Sequence, residues 1–394
     1  MNKTNKKRLF YAITACLVLL ASEAISYFAI RVLSGAGVLY DPSKITQQYS
    51  DYLTKRDDYL GWPSSKQFSQ NNVFASDGSR IDIHYEPGIK PCVSLFGDSF
   101  TWGDGVPHEM AWGAVLSSKL GCRVANFGVP GYGTDQAYMR YDSMAPQGDV
   151  VFLNHLSENI IRNVNQFRNL IYPGHEFALK PRFVLDDVGI RYIGTPQIDS
   201  ERVQYFLHNP ASFLKYEWFL PGGKSGILMV NFPYSLTLTH TILNNYHIRA
   251  KLAGVPRYLE FYDPEHGSGA LPLTERIIDH FVSEAQRRGQ LPIVTIIPTC
   301  EDLKYQKQHG SFPYRPLTNH ATSRGYKLID FGESLSQRLN GVDPESLYIS
   351  CSGHFNEKGY AYLAEISYEY LKNAPDSRRI LTLTDNKDLG PHEN

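Results

Sequence analysis

The sequence predicts an α/β domain built on a central parallel sheet with helices on both faces, a large insertion after the third strand, and an N-terminal membrane helix. Three observations predict it: short apolar runs alternate with amphipathic stretches from Pro91 onward, the alternation is lost between about 165 and 270, and a basic cluster opens onto an apolar run at the N-terminus. At 394 residues, 42% hydrophobic and 20% charged, the chain has the composition of a folded protein with a sizeable core. Lys+Arg 39 against Asp+Glu 40 leaves a formal charge of -1, which gives no basic face for nucleic acid. The 26 tyrosines would suit a sugar-binding surface, but aromatic residues also build cores, and the core reading is favoured.

Lys3, Lys6, Lys7 and Arg8 precede an apolar run from Leu9 to Ala21; after Ser22 and Glu23 a second run, Ala24 to Ile30, ends at Arg31. From Leu9 to Ile30 is about the ~20 residues that a bilayer needs, with one carboxylate off-centre. The same stretch also reads as a secretory signal cleaved after Ala24. An uncleaved anchor over residues 1–33 is favoured, and a buried cytoplasmic helix is disfavoured by the basic cluster. Either export reading leaves the rest of the chain outside the cytoplasm, periplasmic or extracellular, because the more basic flank stays inside; cleavage would make it secreted. With Cys16 in this segment, Cys92, Cys122, Cys300 and Cys351 remain. In an oxidising compartment they would form two bridges with three connectivities; otherwise they are four buried thiols.

Residues 34–90 read as an irregular lead-in, with turn signals at Gly61-Trp62-Pro63 and Asp77-Gly78. Cys92–Phe96 is a short apolar run ended by Gly97, as expected of a strand buried on both faces. Glu109–Leu120 has helical spacing and stops at Gly121, Arg123–Phe127 is a second strand, Thr134–Met144 a second helix, and Asp149–Leu156 a third strand. The rhythm resumes with the amphipathic stretch Leu273–Arg288, strands at Ile293–Pro298 and Tyr326–Phe331, and a closing helix at Glu357–Leu371. The sheet domain is thus expected in two parts, 91–165 and 272–373. Residues 166–271 form a cap or subdomain, too long for a bare loop, and 374–394 a loose polar tail.

Ser99 follows the first strand in Phe96-Gly97-Asp98-Ser99-Phe100-Thr101-Trp102-Gly103. A serine on such a turn projects its hydroxyl into the crevice at the carboxyl ends of the strands. It is equally the place of an ordinary helix-capping serine. Asn126-Phe127-Gly128-Val129-Pro130-Gly131-Tyr132-Gly133 follows the second strand, Ser157-Glu158-Asn159-Ile160 the third, and His354 precedes the closing helix in Ser350-Cys351-Ser352-Gly353-His354-Phe355-Asn356-Glu357-Lys358-Gly359.

These four elements, in this order, resemble the blocks of the SGNH (GDSL-like) hydrolases, a family of esterases, lipases and carbohydrate deacetylases. The resemblance implies a flavodoxin-like three-layer α/β/α sandwich. It also implies Ser99 as nucleophile, His354 as base, and an oxyanion hole made by Ser99, Gly131 and Asn159. Asn154 is the rival for the last position, and Asn159 is preferred. Two departures stand out. The third block lacks its usual glycine and aspartate, and the aspartate that precedes the histidine is replaced by Cys351 or Ser352. A Ser–His dyad, an acid from elsewhere (Asp343, Glu345 or Asp330), or an impaired site would each account for that. On the implied fold, Cys92 and Cys122 open neighbouring strands, and Cys300 and Cys351 follow strand ends beside the site. Pairs Cys92–Cys122 and Cys300–Cys351 are therefore expected. No metal or cofactor is expected; His155, His175 and the other histidines lack ligand spacing and read as structural.

The runs Asp98–Gly103 and Glu158–Asn163 further resemble bacterial SGNH-like proteins associated with surface or exported polysaccharide. The expected activity is that of an esterase or acyltransferase on O-acyl groups, O-acetyl first, of a glycan. The rivals are a polysaccharide-binding or assembly module that has lost its acid, and a lipase or lysophospholipase.

Overall fold

The structure, a computed structural model, describes residues 3–45, 49–62, 74–144, 148–173 and 176–381. The expected turn at Pro63, His175, and the tail from residue 382 lie outside the described residues; the first part of the 374–394 tail, expected to be loose, forms the helix Pro375–Ile380. Among the described residues the strands are β1 (Val93–Phe96), β2 (Val124–Asn126), β3 (Val150–Leu156), β4 (Arg182–Asp186), β5 (Gly189–Ile193), β6 (Leu291–Ile297) and β7 (Leu328–Asp330). Five of them form a parallel sheet in the order β2-β1-β3-β6-β7, and β4 and β5 pair as a separate antiparallel hairpin. This is the flavodoxin-like order: the chain starts inside the sheet, steps to one edge, then reverses through β3, opening a crevice at the carboxyl ends of β1 and β3.

Every residue of β1 and β3 is buried, as strands covered on both faces require. Their register sets Leu95 beside Phe152 and Phe96 beside Leu153. Successive side chains take opposite faces. On one face Phe152 stacks on Trp112 at 6.4 Å, among the helices Trp112–Leu120, Phe331–Leu339 and Glu357–Asn373. On the other, Phe96 meets Phe127 at 5.0 Å and Tyr141 at 5.3 Å, and Tyr141 meets Phe281, under the helices Thr134–Ser143 and Ala270–Arg287. The three-layer α/β/α sandwich expected from the sequence is the one observed. The helix expected from Glu109 starts at Trp112 because His108–Met110 turns as a 3-10 segment.

The chain divides into two compact units. The first, Lys55–Val164, Pro181–Gly194 and Tyr258–Asn394, holds the sheet; the second is Met1–Thr54, Asn165–Lys180 and Thr195–Arg257. The stretch 166–271, read from the sequence as one insertion, is therefore shared: the β4–β5 hairpin and residues from Tyr258 onward belong with the sheet. The second unit has an aromatic core, with Phe167 5.3 Å from Phe177 and 4.9 Å from Phe206. The buried Glu217 carboxylate ties its backbone, accepting the N–H of Gln166, Phe167 and Phe219. Many of the aromatic residues thus build cores.

The N-terminal helix, Lys3–Gly35, contains a window of mean hydropathy 1.9 and is long and apolar enough to cross a membrane. Ser26, Ile30 and Ser34, four residues apart on one face, are buried in the second unit. Both expected disulfides are present, Cys92–Cys122 with Cα atoms 6.1 Å apart and Cys300–Cys351 with Cα atoms 5.1 Å apart, and Cys16 is a free thiol.

Candidate active site

β1 ends at Phe96, and the chain turns through Gly97 and Asp98 into the short helix Ser99–Trp102. A Cβ on Gly97 would lie 2.0 Å from the Thr101 hydroxyl oxygen, so only glycine lets the helix fold back this tightly. Asp98 caps that helix, its carboxylate accepting the Phe100 N–H at 2.9 Å. The capping role that the sequence left open to Ser99 therefore belongs to Asp98, and the Ser99 hydroxyl is released for another partner.

That partner is His354, whose Nε2 lies 2.8 Å from Ser99 Oγ although the two residues are 255 apart in the chain. The histidine loop is held at several points. Ile349 N–H donates to the His354 carbonyl at 2.9 Å, Cys351 is bridged to Cys300, and Asn356 caps the closing helix by accepting the Gly359 N–H. The Phe100 ring packs 4.8 Å from the imidazole. Burial holds the His354 pKa below the ordinary histidine value; the nearby Asp104 opposes this, Arg162 adds to it and Glu158 opposes it. The ring is therefore neutral at neutral pH, and a neutral imidazole nitrogen against a hydroxyl can take its proton.

Among the described residues, none hydrogen-bonds Nδ1 of His354. Asp343 accepts the Glu345 N–H, Glu345 pairs with Lys304, and Asp330 accepts from the Tyr314 hydroxyl and the Glu333 N–H, so each of the three candidate acids is engaged elsewhere. The carboxylate nearest the imidazole is Asp104, its Oδ2 3.9 Å from Nε2, the nitrogen that faces Ser99. Sequence reasoning missed it by searching only within about 25 residues of His354, whereas Asp104 lies 250 residues away in the chain. Its signal is local: an acid between Gly103 and Gly105, both at φ +87°, directly after the serine turn.

Asn159, at the carboxyl end of β3, donates from Nδ2 to Asp98 Oδ2 at 3.1 Å. Its amide NH₂ carries a second hydrogen, and the Asp98 bond fixes the direction in which that hydrogen points. Asn154 is turned into the sheet, where its Oδ1 accepts from the Thr295 hydroxyl at 2.6 Å on the neighbouring β6. Arg162 closes the cluster, its Nη1 3.3 Å from Asp98 Oδ2 and 3.0 Å from the Tyr132 carbonyl. Burial raises the Asp98 pKa, against Arg162, the Phe100 N–H and Asn159, which favour the charged form. Gly131 lies in the turn after β2 at φ +89°, a left-handed conformation suited to glycine. The Ser99 backbone N–H has no hydrogen-bond acceptor among the described residues. His155 bonds the Thr134 hydroxyl at 2.7 Å and the Tyr262 hydroxyl at 2.9 Å, with its pKa lowered by burial to about 3.

The lead-in also reaches this region, which the sequence did not reveal. Arg80 donates its backbone N–H to the Asn126 carbonyl at 2.7 Å, and its guanidinium bonds the carbonyls of Trp102 and Gly103 at the carboxyl end of the serine helix. A cation there satisfies carbonyls that the short helix leaves open.

No protein-family model matches the chain, and no curated protein does. Solved structures similar to it include a member of the lipolytic protein G-D-S-L family from Veillonella parvula DSM 2008, 12% identical, covering 72% of this chain and 98% of that one with a TM-score of 0.34. An acetylxylan esterase from Geobacillus stearothermophilus is 13% identical, covering 72% and 94% with a TM-score of 0.37. An alpha/beta hydrolase enzyme from the metagenome of Lake Arreo, Spain, is 14% identical, covering 73% and 97% with a TM-score of 0.37. The sheet order is the flavodoxin-like one that the resemblance of the sequence blocks to the SGNH (GDSL-like) hydrolases implies.

Proposed function

We propose that the chain is an extracytoplasmic serine esterase or acyltransferase acting on O-acyl groups, O-acetyl first, of a glycan. The observation that carries the chemistry is the 2.8 Å contact of Ser99 Oγ with His354 Nε2 at the carboxyl end of the sheet. His354 takes the hydroxyl proton as Ser99 attacks the ester carbonyl, then gives it to the departing alkoxide. Water or a sugar hydroxyl next loses its proton to His354 and attacks the acyl-serine, which releases the acyl group and returns the proton to Ser99. The N–H groups of Ser99 and Gly131 and the Asn159 amide are the donors to the oxyanion, with Asp98 orienting that amide. The resemblance of Asp98–Gly103 and Glu158–Asn163 to polysaccharide-associated proteins supports the glycan.

The test is treatment of the full chain with a serine-directed phosphonate, followed by peptide mapping and a p-nitrophenyl ester series of rising acyl length. One adduct, on Ser99, with short acyl chains preferred, is the expected result. A preference for long chains would mean a lipase. No adduct and no turnover would favour a binding module, the reading to which a His354 Nδ1 without an acceptor among the described residues also points.

A dyad requires no acid, and Asp104 then acts only through its field. The acid limb of kcat/KM reports the free His354, active when deprotonated, so activity rises with pH through a pKa below the ordinary histidine value. Asp104 stabilises the imidazolium, so Asp104→Asn lowers that pKa further and moves the limb to lower pH, leaving the plateau within a few-fold. A plateau fall of ~10⁴ would instead give Asp104 the orienting role of a triad acid. A pH–rate profile of both proteins decides.

The N-terminal helix is read as an uncleaved anchor. Glu23 accepts hydrogen bonds from Tyr234 and Ser235, and cleavage after Ala24 would remove it.

A further inference from the structure

The helix Tyr234–Asn244 in the second unit carries no charged residue and exposes large aliphatic side chains beside its threonines. From Ser225 to Ile248 the chain carries no Asp, Glu, Lys or Arg, and between Glu217 and Glu260 it carries no acid at all. Thr241 is the one fully buried residue of the helix. Large apolar side chains project from it and its flanks: Phe232 is 71% exposed, Leu236 59%, Leu243 67% and Leu252 78%. Lys224, Arg249, Lys251 and Arg257 bracket this apolar stretch with positive charge.

The helix is attached to the N-terminal helix, and the attachment is specific. The Glu23 carboxylate accepts the Tyr234 N–H at 2.6 Å, the Ser235 N–H at 3.3 Å and the Ser235 hydroxyl, and the Tyr27 and Tyr234 rings meet edge to face at 5.1 Å. Glu23 is the single carboxylate in an apolar run that begins at Leu9. At ~1.5 Å per residue it lies ~21 Å along the helix, well within a hydrocarbon layer ~30 Å thick. A carboxylate at that depth is costly unless it is partnered. The amino end of another helix supplies the partners here, and its dipole favours the negative charge. Beyond Glu23 the N-terminal helix still exposes Ile25, Phe28 and Val32.

We infer that residues 232–252 are seated in the outer leaflet beside the N-terminal helix, a second membrane element in contact with lipid. This rests on the anchor reading above. Acyl chains cover Phe232, Leu236, Leu243 and Leu252, and the flanking cations complement the headgroup phosphates. Glu23 then acts as the bracket that holds an uncharged helix at the membrane, which explains why the apolar run contains a carboxylate.

The test uses the full chain carrying Cys16→Ser and one new cysteine, Leu236→Cys or Leu243→Cys, with Leu20→Cys reporting the anchor and Val188→Cys reporting water. Each is labelled with an environment-sensitive fluorophore and reconstituted into vesicles of phosphatidylcholine with a minor share of phosphatidylglycerol. Spin-labelled lipid is expected to quench positions 236 and 243 to a degree comparable with position 20, while aqueous iodide quenches position 188 alone. Iodide reaching 236 and 243 as it reaches 188, with position 20 still quenched by lipid, would overturn the inference and leave the anchor standing. Positions 236 and 243 shielded from both quenchers would put a protein surface there, and would overturn it equally. Loss of lipid quenching at position 20 would remove the anchor reading and the inference together. Ester turnover by the same preparations reports the Ser99–His354 reading separately.

Discussion

Ser99→Ala is expected to abolish phosphonate labelling and to lower turnover of p-nitrophenyl acetate by ~10³-fold or more. His354→Ala should lose a similar factor, and the double variant little beyond either single one, because nucleophile and base act as a unit. Folding should be untouched by Ser99→Ala. Among the described residues the Ser99 hydroxyl bonds His354 alone, and Asp98 caps the helix. Its unfolding free energy from urea denaturation should therefore stay within ~0.5 kcal/mol of the parent. Steady-state kinetics with denaturation on the same samples check this. Retained turnover with the adduct on another serine would dismiss the proposed site.

Asp98→Ala should be the most damaging single change to stability near the site, at ~3–5 kcal/mol. The carboxylate is 1% exposed and serves the Phe100 N–H, the Asn159 amide and the Arg162 guanidinium together. Its removal takes from Arg162, itself 7% exposed, the more deeply buried of its two carboxylates and leaves Glu158 at 3.9 Å as the other. Asp98→Asn keeps an oxygen for the helix cap, so it should lose less stability. It should still lose activity, because the Asn159 amide is no longer held by a charge. Urea denaturation of the three proteins gives the ranking, and equal stability of parent and Asp98→Ala would refute it.

Much of the fold was legible because its signals are local. Val93–Phe96 and Val150–Leu156 are near-continuous apolar runs, and a strand buried on both faces has little alternative composition. The meeting of Ser99 with His354 was legible too, through the order of the blocks and the strand ends that carry them. Asp104 was not. Its approach to the imidazole depends on two left-handed glycines, a backbone event rather than a spacing. The division into units was also hidden, because it rests on pairs such as the Tyr40 hydroxyl with the Leu207 carbonyl, 167 residues apart. The lead-in read as irregular, and in regular elements it nearly is. Its contribution is made by single side chains such as Arg80.

Arg80 has a practical consequence for anyone trimming the protein. A fragment begun at the first strand would look complete by its elements, yet it would strip the guanidinium from the Trp102 and Gly103 carbonyls and the backbone bond from Asn126. The serine turn would then lose that brace, so a shortened version must begin upstream of Phe74, whose ring lies 4.8 Å from that of Trp102.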